Sequence, residues 1–223
     1  MPQPKQKQIQ KSNQNYLTMK QTIFSLFSAI VLLTSCKKET EKINDYTVNT
    51  TESKVEWKGY LADGYFNRGT FSIASAEIKT RNNKVEGGRF TIPILSLDVL
   101  NLTGEPKAGL EAHLKSPDFF NILVHPNAYF DISQIVPYHK QNEAGVIQGA
   151  NFQVTGGFKM LGVTKTISFP ARITFTGNKL QVEATFKINR VDWGMTYAAD
   201  PAAGAHHIKP VVDLHLKLSA DKK

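Results

Sequence analysis

The chain has 223 residues, of which 41% are hydrophobic and 21% charged, with 15 Gly, 10 Pro, one Cys and a formal charge of +8. That apolar fraction excludes intrinsic disorder and collagen-like repeats, and a single cysteine cannot staple a miniprotein. Only one stretch approaches continuous hydrophobicity and it is short, which excludes a multi-span membrane protein and leaves one globular domain with appendages.

Residues 1–18 are polar and basic and contain no acid. They read as an upstream, misassigned start, because Met19-Lys20 opens a second one followed by an apolar run over 23–33. That run is about eleven residues, against the roughly 20 a helix needs to span a bilayer. A basic flank, a short apolar core and small residues at its end predict a secretory signal over 1–35. Its last four residues, Leu33-Thr-Ser-Cys36, resemble the lipobox of bacterial lipoprotein signals. The resemblance implies cleavage before Cys36, acylation of its thiol, and an exported, periplasmic protein held by lipid to a membrane, expected to be the outer one. Two or more acyl chains anchor stably where one is marginal. The lone thiol is then the acylated one, in keeping with an oxidising compartment. Removing 1–35 also removes Lys5, Lys7, Lys11 and Lys20 and no acid, so the net charge falls from +8 to +4. The remaining basic residues are scattered, and nucleic acid is excluded as a partner.

Residues 36–45 are polar and charged and read as a tether; the domain is expected over 46–220. From there apolar and polar residues alternate with period two. Val55 and Trp57 share a face, as do Gly69, Phe71 and Ile73, then Phe90, Ile92 and Ile94. One helix is predicted over 106–114, with Pro106 near its start and Leu110 and Leu114 four apart. Ala128, Phe130 and Ile132 form the next inward set. Then come Ile167, Phe169, Ala171, Ile173 and Phe175, and, after a turn at 176–179, Leu180, Val182, Ala184, Phe186 and Ile188. Ile208, Val212, Leu214, Leu216 and Leu218 close the series. About eight or more strands, each dry on one face, predict an all-β antiparallel barrel or sandwich. No helices separate successive strands, which excludes parallel α/β.

Chemistry leaves little trace. His206 and His207 are adjacent and point to opposite faces of a strand, and the six histidines read as surface residues, so no metal site is expected. Neither a Gly-x-Ser-x-Gly elbow nor a phosphate loop occurs, and Gly104-Glu-Pro-Lys-Ala-Gly109 lacks the Lys-Ser/Thr that would complete one. Asp192 and Asp200 suit turns. No catalytic residue and no cofactor are expected. The remaining feature is aromatic: phenylalanines fall on dry faces and in the pair Phe119-Phe120, with Phe66 unplaced. A small barrel can fill its lumen with such rings, or a wider one can enclose an apolar ligand; pattern leaves both open.

Four motifs in order resemble the YceI family of exported, lipocalin-like proteins. They are Ser53-Lys-Val-Glu-Trp57 with Gly69-Thr-Phe71; Leu114-Lys-Ser-Pro-Asp-Phe-Phe120 with Pro126-Asn-Ala-Tyr-Phe130; Gly156-Gly-Phe-Lys-Met-Leu-Gly162-Val-Thr-Lys165; and Asn189-Arg-Val-Asp-Trp-Gly-Met195. The chain departs from the family at Thr166, where Pro is frequent, and in its lipoprotein signal. The resemblance implies an eight-stranded or slightly larger antiparallel barrel with a helix beside its mouth and an apolar channel that binds a polyisoprenoid lipid. The lining is then expected from Trp57, Phe71, Phe90, Ile92, Leu110, Leu114, Phe119, Phe130, Phe158, Phe169, Phe175, Phe186, Ile188 and Trp193. Arg190 and Asp192 are candidates for selecting a head group, against the plainer reading of an Arg–Asp pair that pins a strand. The implied partners are an isoprenoid lipid and, through acylated Cys36, a membrane; a second copy of the chain stays open as a further partner. The rival expectation is a non-catalytic envelope interaction module with a solid core.

Overall fold

Alternation becomes strand through most of residues 43–140 and 142–223, the residues that the computed structural model describes. The signal-like segment, Cys36 and residues 36–42 of the expected tether lie outside them. The strands are β1 (Ile43–Val48), β2 (Lys54–Tyr60), β3 (Phe66–Ser72), β4 (Ser75–Arg81), β5 (Lys84–Pro93), β6 (Asp98–Val99), β7 (Asn127–Pro137), β8 (Phe152–Met160), β9 (Val163–Thr176), β10 (Lys179–Asn189) and β11 (Val211–Lys222). A single α-helix is described, α1 (Gly104–Lys115). The tether expected to run to residue 45 is therefore shorter, because β1 begins at Ile43. Only Tyr46 and Val48 of β1 are buried. Two inward apolar residues among polar ones look like linker until pairing with β4 and β11 makes them wall.

The register shows how these pieces form a closed barrel of eight wall positions. β1 and β2 lie end to end along β11, with Tyr46 opposite Lys222 and Val55 opposite Leu216. β4 and β3 run back along them in the same order. β5 and β6 follow, pairing β4 and β3. Thereafter β5–β7, β7–β8, β8–β9, β9–β10 and β10–β11 join as next neighbours. The topology is an antiparallel meander whose first three walls are each broken once, and the ring closes where β1 and β2 pair with β11.

Two apolar clusters fill the ends. Where β1 meets the last residues of β11, Tyr46, Val48, Ile78, Leu180, Ala184, Leu218 and Ala220 belong to one core cluster. At the other end Phe71, Ile94, Leu97, Phe119, Ala128, Met160, Trp193 and Met195 form a second, beneath the crossover that carries α1. The helix itself buries none of its residues. Polar ties hold it to β6: Lys107 Nζ lies 2.6 Å from Asp98 Oδ1, and the Val99 N–H donates to Glu111 Oε1 at 2.9 Å.

Candidate functional site: an apolar lumen

Inward-facing side chains on successive strands enclose two adjoining chambers. The lower, a cavity of about 80 Å³, is bounded by Val, Ile, Leu and Phe alone. The upper, a cavity of about 160 Å³, lies among β2, β3, α1 and the segment 188–214. Val55, Ile92, Phe158 and Leu214 line both, so the two chambers adjoin across these side chains.

Aromatic rings stay out of that space because glycines let them lie along the wall. A Cβ on Gly156 of β8 would sit 2.5 Å from Phe130 Cζ, so the Phe130 ring occupies the place of a side chain on the neighbouring strand. It then meets Phe169 at 5.7 Å between centroids, and Phe169 stacks on Phe186 at 4.1 Å and 7°. Phe90 lies 6.3 Å from Phe130 on the other side. The four rings make a belt across β5, β7, β9 and β10. Higher up, a Cβ on Gly69 would fall 2.8 Å from Trp57 Cζ2, and the indole lies against that bare backbone.

The upper chamber has a polar fringe. Tyr60 donates from its hydroxyl to Asp213 at 2.8 Å, and Asn67 accepts from Asn101 Nδ2 at 3.2 Å. Arg190 starts the 3-10 turn Arg190–Trp193 at the top of β10, which ends on Gly194 in the left-handed region at φ 86°. Its guanidinium is buried and fastens the 190–210 segment over the rim. Nη1 donates to the Met195 carbonyl at 2.6 Å, and Nη2 to those of Tyr197 and Ile208, both at 2.9 Å. Burial lowers its pKa, yet an arginine starts so high that it keeps its charge. The Arg–Asp pair considered from the sequence does not form: Asp192 is exposed, and Arg190 spends its Nη donors on carbonyls.

The expected lining residues divide cleanly. Phe90, Phe130, Phe169 and Phe186 line the lower chamber, and Ile92 and Phe158 line both. Trp57, Phe71, Leu110, Leu114, Phe119, Ile188 and Arg190 line the upper. Phe175 instead packs edge-on against Tyr46, 6.0 Å between centroids, beside a separate groove at the far end. Trp193 stands behind the wall, its Nε1 donating to the Phe158 carbonyl at 3.0 Å and its ring packed on Phe158. Phe66, unplaced in the sequence, is partly exposed at the rim, with Lys58 Nζ 3.9 Å from its ring centroid. The aliphatic lining at Ile78, Val85, Val154 and Ile135 was missed. Its strands carry weak alternation, and a bulge between Ile132 and Gln134 shifts the inward phase in β7.

Large exposed apolar side chains gather at the α1 end. Leu123 is 95% exposed and Leu95 73%; Tyr65, Leu100, Val124 and Tyr197 are exposed on connections of that end, and Val163 at the start of β9.

The YceI-like domain model matches residues 46–220. Among solved structures the chain is similar to BcnA of Burkholderia cenocepacia, at 19% identity and TM-score 0.59, covering 77% of this chain and 98% of that one. It is also similar to a polyisoprenoid binding domain from Saccharophagus degradans implicated in plant cell wall breakdown, at 11% identity and TM-score 0.59, covering 80% and 98%. No curated protein sequence matches it. With the matched segment spanning the whole barrel, the chain belongs to the YceI-like domain family.

Proposed function

We propose that the protein binds an isoprenoid lipid, with the hydrocarbon tail inside the barrel, and stores or carries it without altering it chemically. The observation that carries this reading is the continuous, wholly apolar lower chamber. Such a void counts against a barrel packed solid by its own side chains. The similar Saccharophagus degradans domain, described as polyisoprenoid binding, supports the same ligand class. Burying a tail gains on the order of 25 cal/mol per Å² of apolar surface. Ordering a flexible chain reduces this toward roughly −0.3 kcal/mol per heavy atom, which still suffices for a tail of several isoprene units.

Lipid enters, in this reading, at the α1 end, where exposed leucines and tyrosines suit contact with a membrane surface. Acylated Cys36 tethers the barrel at the cell envelope, on the periplasmic side, near the lipid it loads. The test uses the two tryptophans: Trp57 lines the upper chamber and Trp193 backs Phe158. Titration with farnesol is expected to change their emission saturably, at one ligand per chain. Emission that stays flat, or drifts without saturating, contradicts the proposal.

A further inference from the structure

The α1 end carries apolar side chains that the barrel does not use. Phe119 is buried, and Phe120 and Ile122 pack on the upper core cluster. Leu123 and Val124 follow directly and stand in solvent. The backbone fixes them there. Asn121 takes the left-handed region at φ 44° and donates its N–H to the Ser116 carbonyl at 2.8 Å. Its own carbonyl accepts the N–H groups of Val124 and His125, both at 2.9 Å. Two further connections stand beside this turn. The Ile94 N–H donates to the Pro126 carbonyl at 2.9 Å, which brings up exposed Leu95. The β8–β9 hairpin is also adjacent, since a Cβ on Gly162 would sit 3.3 Å from His125 Cε1, and it adds Val163. Leu95, Leu123, Val124 and Val163 line neither chamber. A protruding apolar edge of this kind marks a contact made with something outside the barrel. The charges on the same connections narrow what that is. Segments 94–97, 115–126 and 159–166 hold Lys115, Lys159, Lys165 and His125 against one carboxylate, Asp118. That carboxylate already has a partner, with its Oδ2 3.0 Å from His113 Nε2. Lys159 and Lys165 are exposed. Apolar tips with a local excess of cations match an anionic bilayer, where the leucines enter the acyl boundary and the lysines meet head-group phosphates.

We propose that the edge formed by Leu95, Leu123, Val124 and Val163 docks on a bilayer carrying anionic head groups, with Lys115, Lys159 and Lys165 at its margin. This rests on the reading above that lipid enters at the α1 end. It adds which side of that end meets the membrane and which surface charge it selects. The 121–125 turn needs little ordering on contact, because its hydrogen bonds already hold the side chains out.

The test places an environment-sensitive nitrobenzoxadiazole label at the tip, through Leu123→Cys, in the full chain with Cys36→Ser so that no other thiol is labelled or acylated. A second chain carries the label in the β9–β10 turn at the opposite end of the barrel, through Asn178→Cys. Vesicles of phosphatidylcholine alone are compared with vesicles of equal parts phosphatidylcholine and phosphatidylglycerol. Neither contains an isoprenoid, so occupancy of the lumen does not enter. Any pull from the apolar run over 23–33 is common to both labelled chains and both vesicle types. The tip label is expected to brighten and shift to the blue, with an affinity at least about twentyfold higher on the anionic vesicles, while the far-end label stays unchanged. The scale is roughly fivefold per lysine near an anionic surface, so Lys159→Gln with Lys165→Gln should remove most of that preference. A tip that stays dim, a far-end label that responds as strongly, or equal affinity for both vesicle types overturns the docking inference. So does a preference that the two lysine substitutions leave unchanged. Farnesol titration of the same chains reads the lumen separately. Farnesol binding without docking overturns this inference alone, and docking without farnesol binding overturns the lipid reading.

Discussion

Phe130 can lie along the barrel wall only because Gly156, on the adjoining strand, carries no side chain. A methyl group there would meet the Asp131 carbonyl at 2.5 Å and the Phe130 ring at 2.5 to 2.7 Å, so backbone and ring must both move. Gly156→Ala is expected to cost about 1–3 kcal/mol, the usual range for overpacking, seen as a lower urea midpoint. The displaced ring can move only inward, so farnesol affinity should fall too; an unchanged midpoint contradicts this account of the glycine. On the outer face Glu56 sits among Lys54 at 3.1 Å, Lys217 at 3.3 Å and His215 Nδ1 at 3.1 Å. Burial raises its pKa, but the two lysines outweigh that and hold it below the ordinary 4.5. A carboxyl depressed in the folded state stabilises above its unfolded pKa and loses that contribution as pH falls through the folded value. Glu56→Gln should therefore flatten the loss of stability between about pH 5 and 3, measured by urea midpoints; a slope equal to the wild type argues against the ion pairs. Trp57, Gly69, Phe130 and Gly156 are all plain in the sequence. That each glycine makes room for its ring is not, because the contact joins neighbouring strands whose register is a tertiary fact.

Among the elements, α1 was legible from Pro106, Leu110 and Leu114, though it runs from Gly104 to Lys115. Its attachment was not legible, since the ties to β6 come from the charged side chains of Lys107 and Glu111, which share a helical face with Leu110 and Leu114. With no buried residue and partly exposed ion pairs, worth about 0–1 kcal/mol each, the helix is the easiest part of the roof to lift. Asp98→Ala is expected to speed hydrogen exchange across 104–115 and the release of bound farnesol, with a change in global stability below about 1 kcal/mol. Unchanged exchange would show that the helix is held by something else. The β9–β10 seam is the second weak element. Backbone pairing covers only Arg172 to Thr176 against Lys179 to Glu183, and Pro170 just beyond has no N–H to offer. Above that point the Phe169–Phe186 stack joins the two strands. Phe186→Ala should cost about 3 kcal/mol and raise exchange in the upper halves of β9 and β10 first; uniform exchange over the barrel contradicts a seam closed by rings. β1, β4 and β8 escaped the pattern reading because their inward sets are short or include Thr80 and glycines, while β9, β10 and β11 carry five apolar alternations and were plain.

At the scale of the molecule, alternation predicted an antiparallel barrel or sandwich, and the meander closes as a barrel with eight wall positions. What alternation cannot carry is the diameter, because inward residues are identical in a filled barrel and a hollow one. The answer lies in the arrangement of rings against glycines and in the split of the first three walls, which are properties of packing. The result is a polar-fringed chamber above an apolar one, with the basic charge of the chain scattered outside rather than gathered for a polyanion. Native mass spectrometry of the barrel, purified without detergent and then incubated with prenyl lipids, tests the central claim most directly. The account predicts a one-to-one adduct with the mass of an isoprenoid lipid, lost in a lumen-filling variant such as Val154→Trp that still folds. A protein that stays bare through both treatments would contradict it.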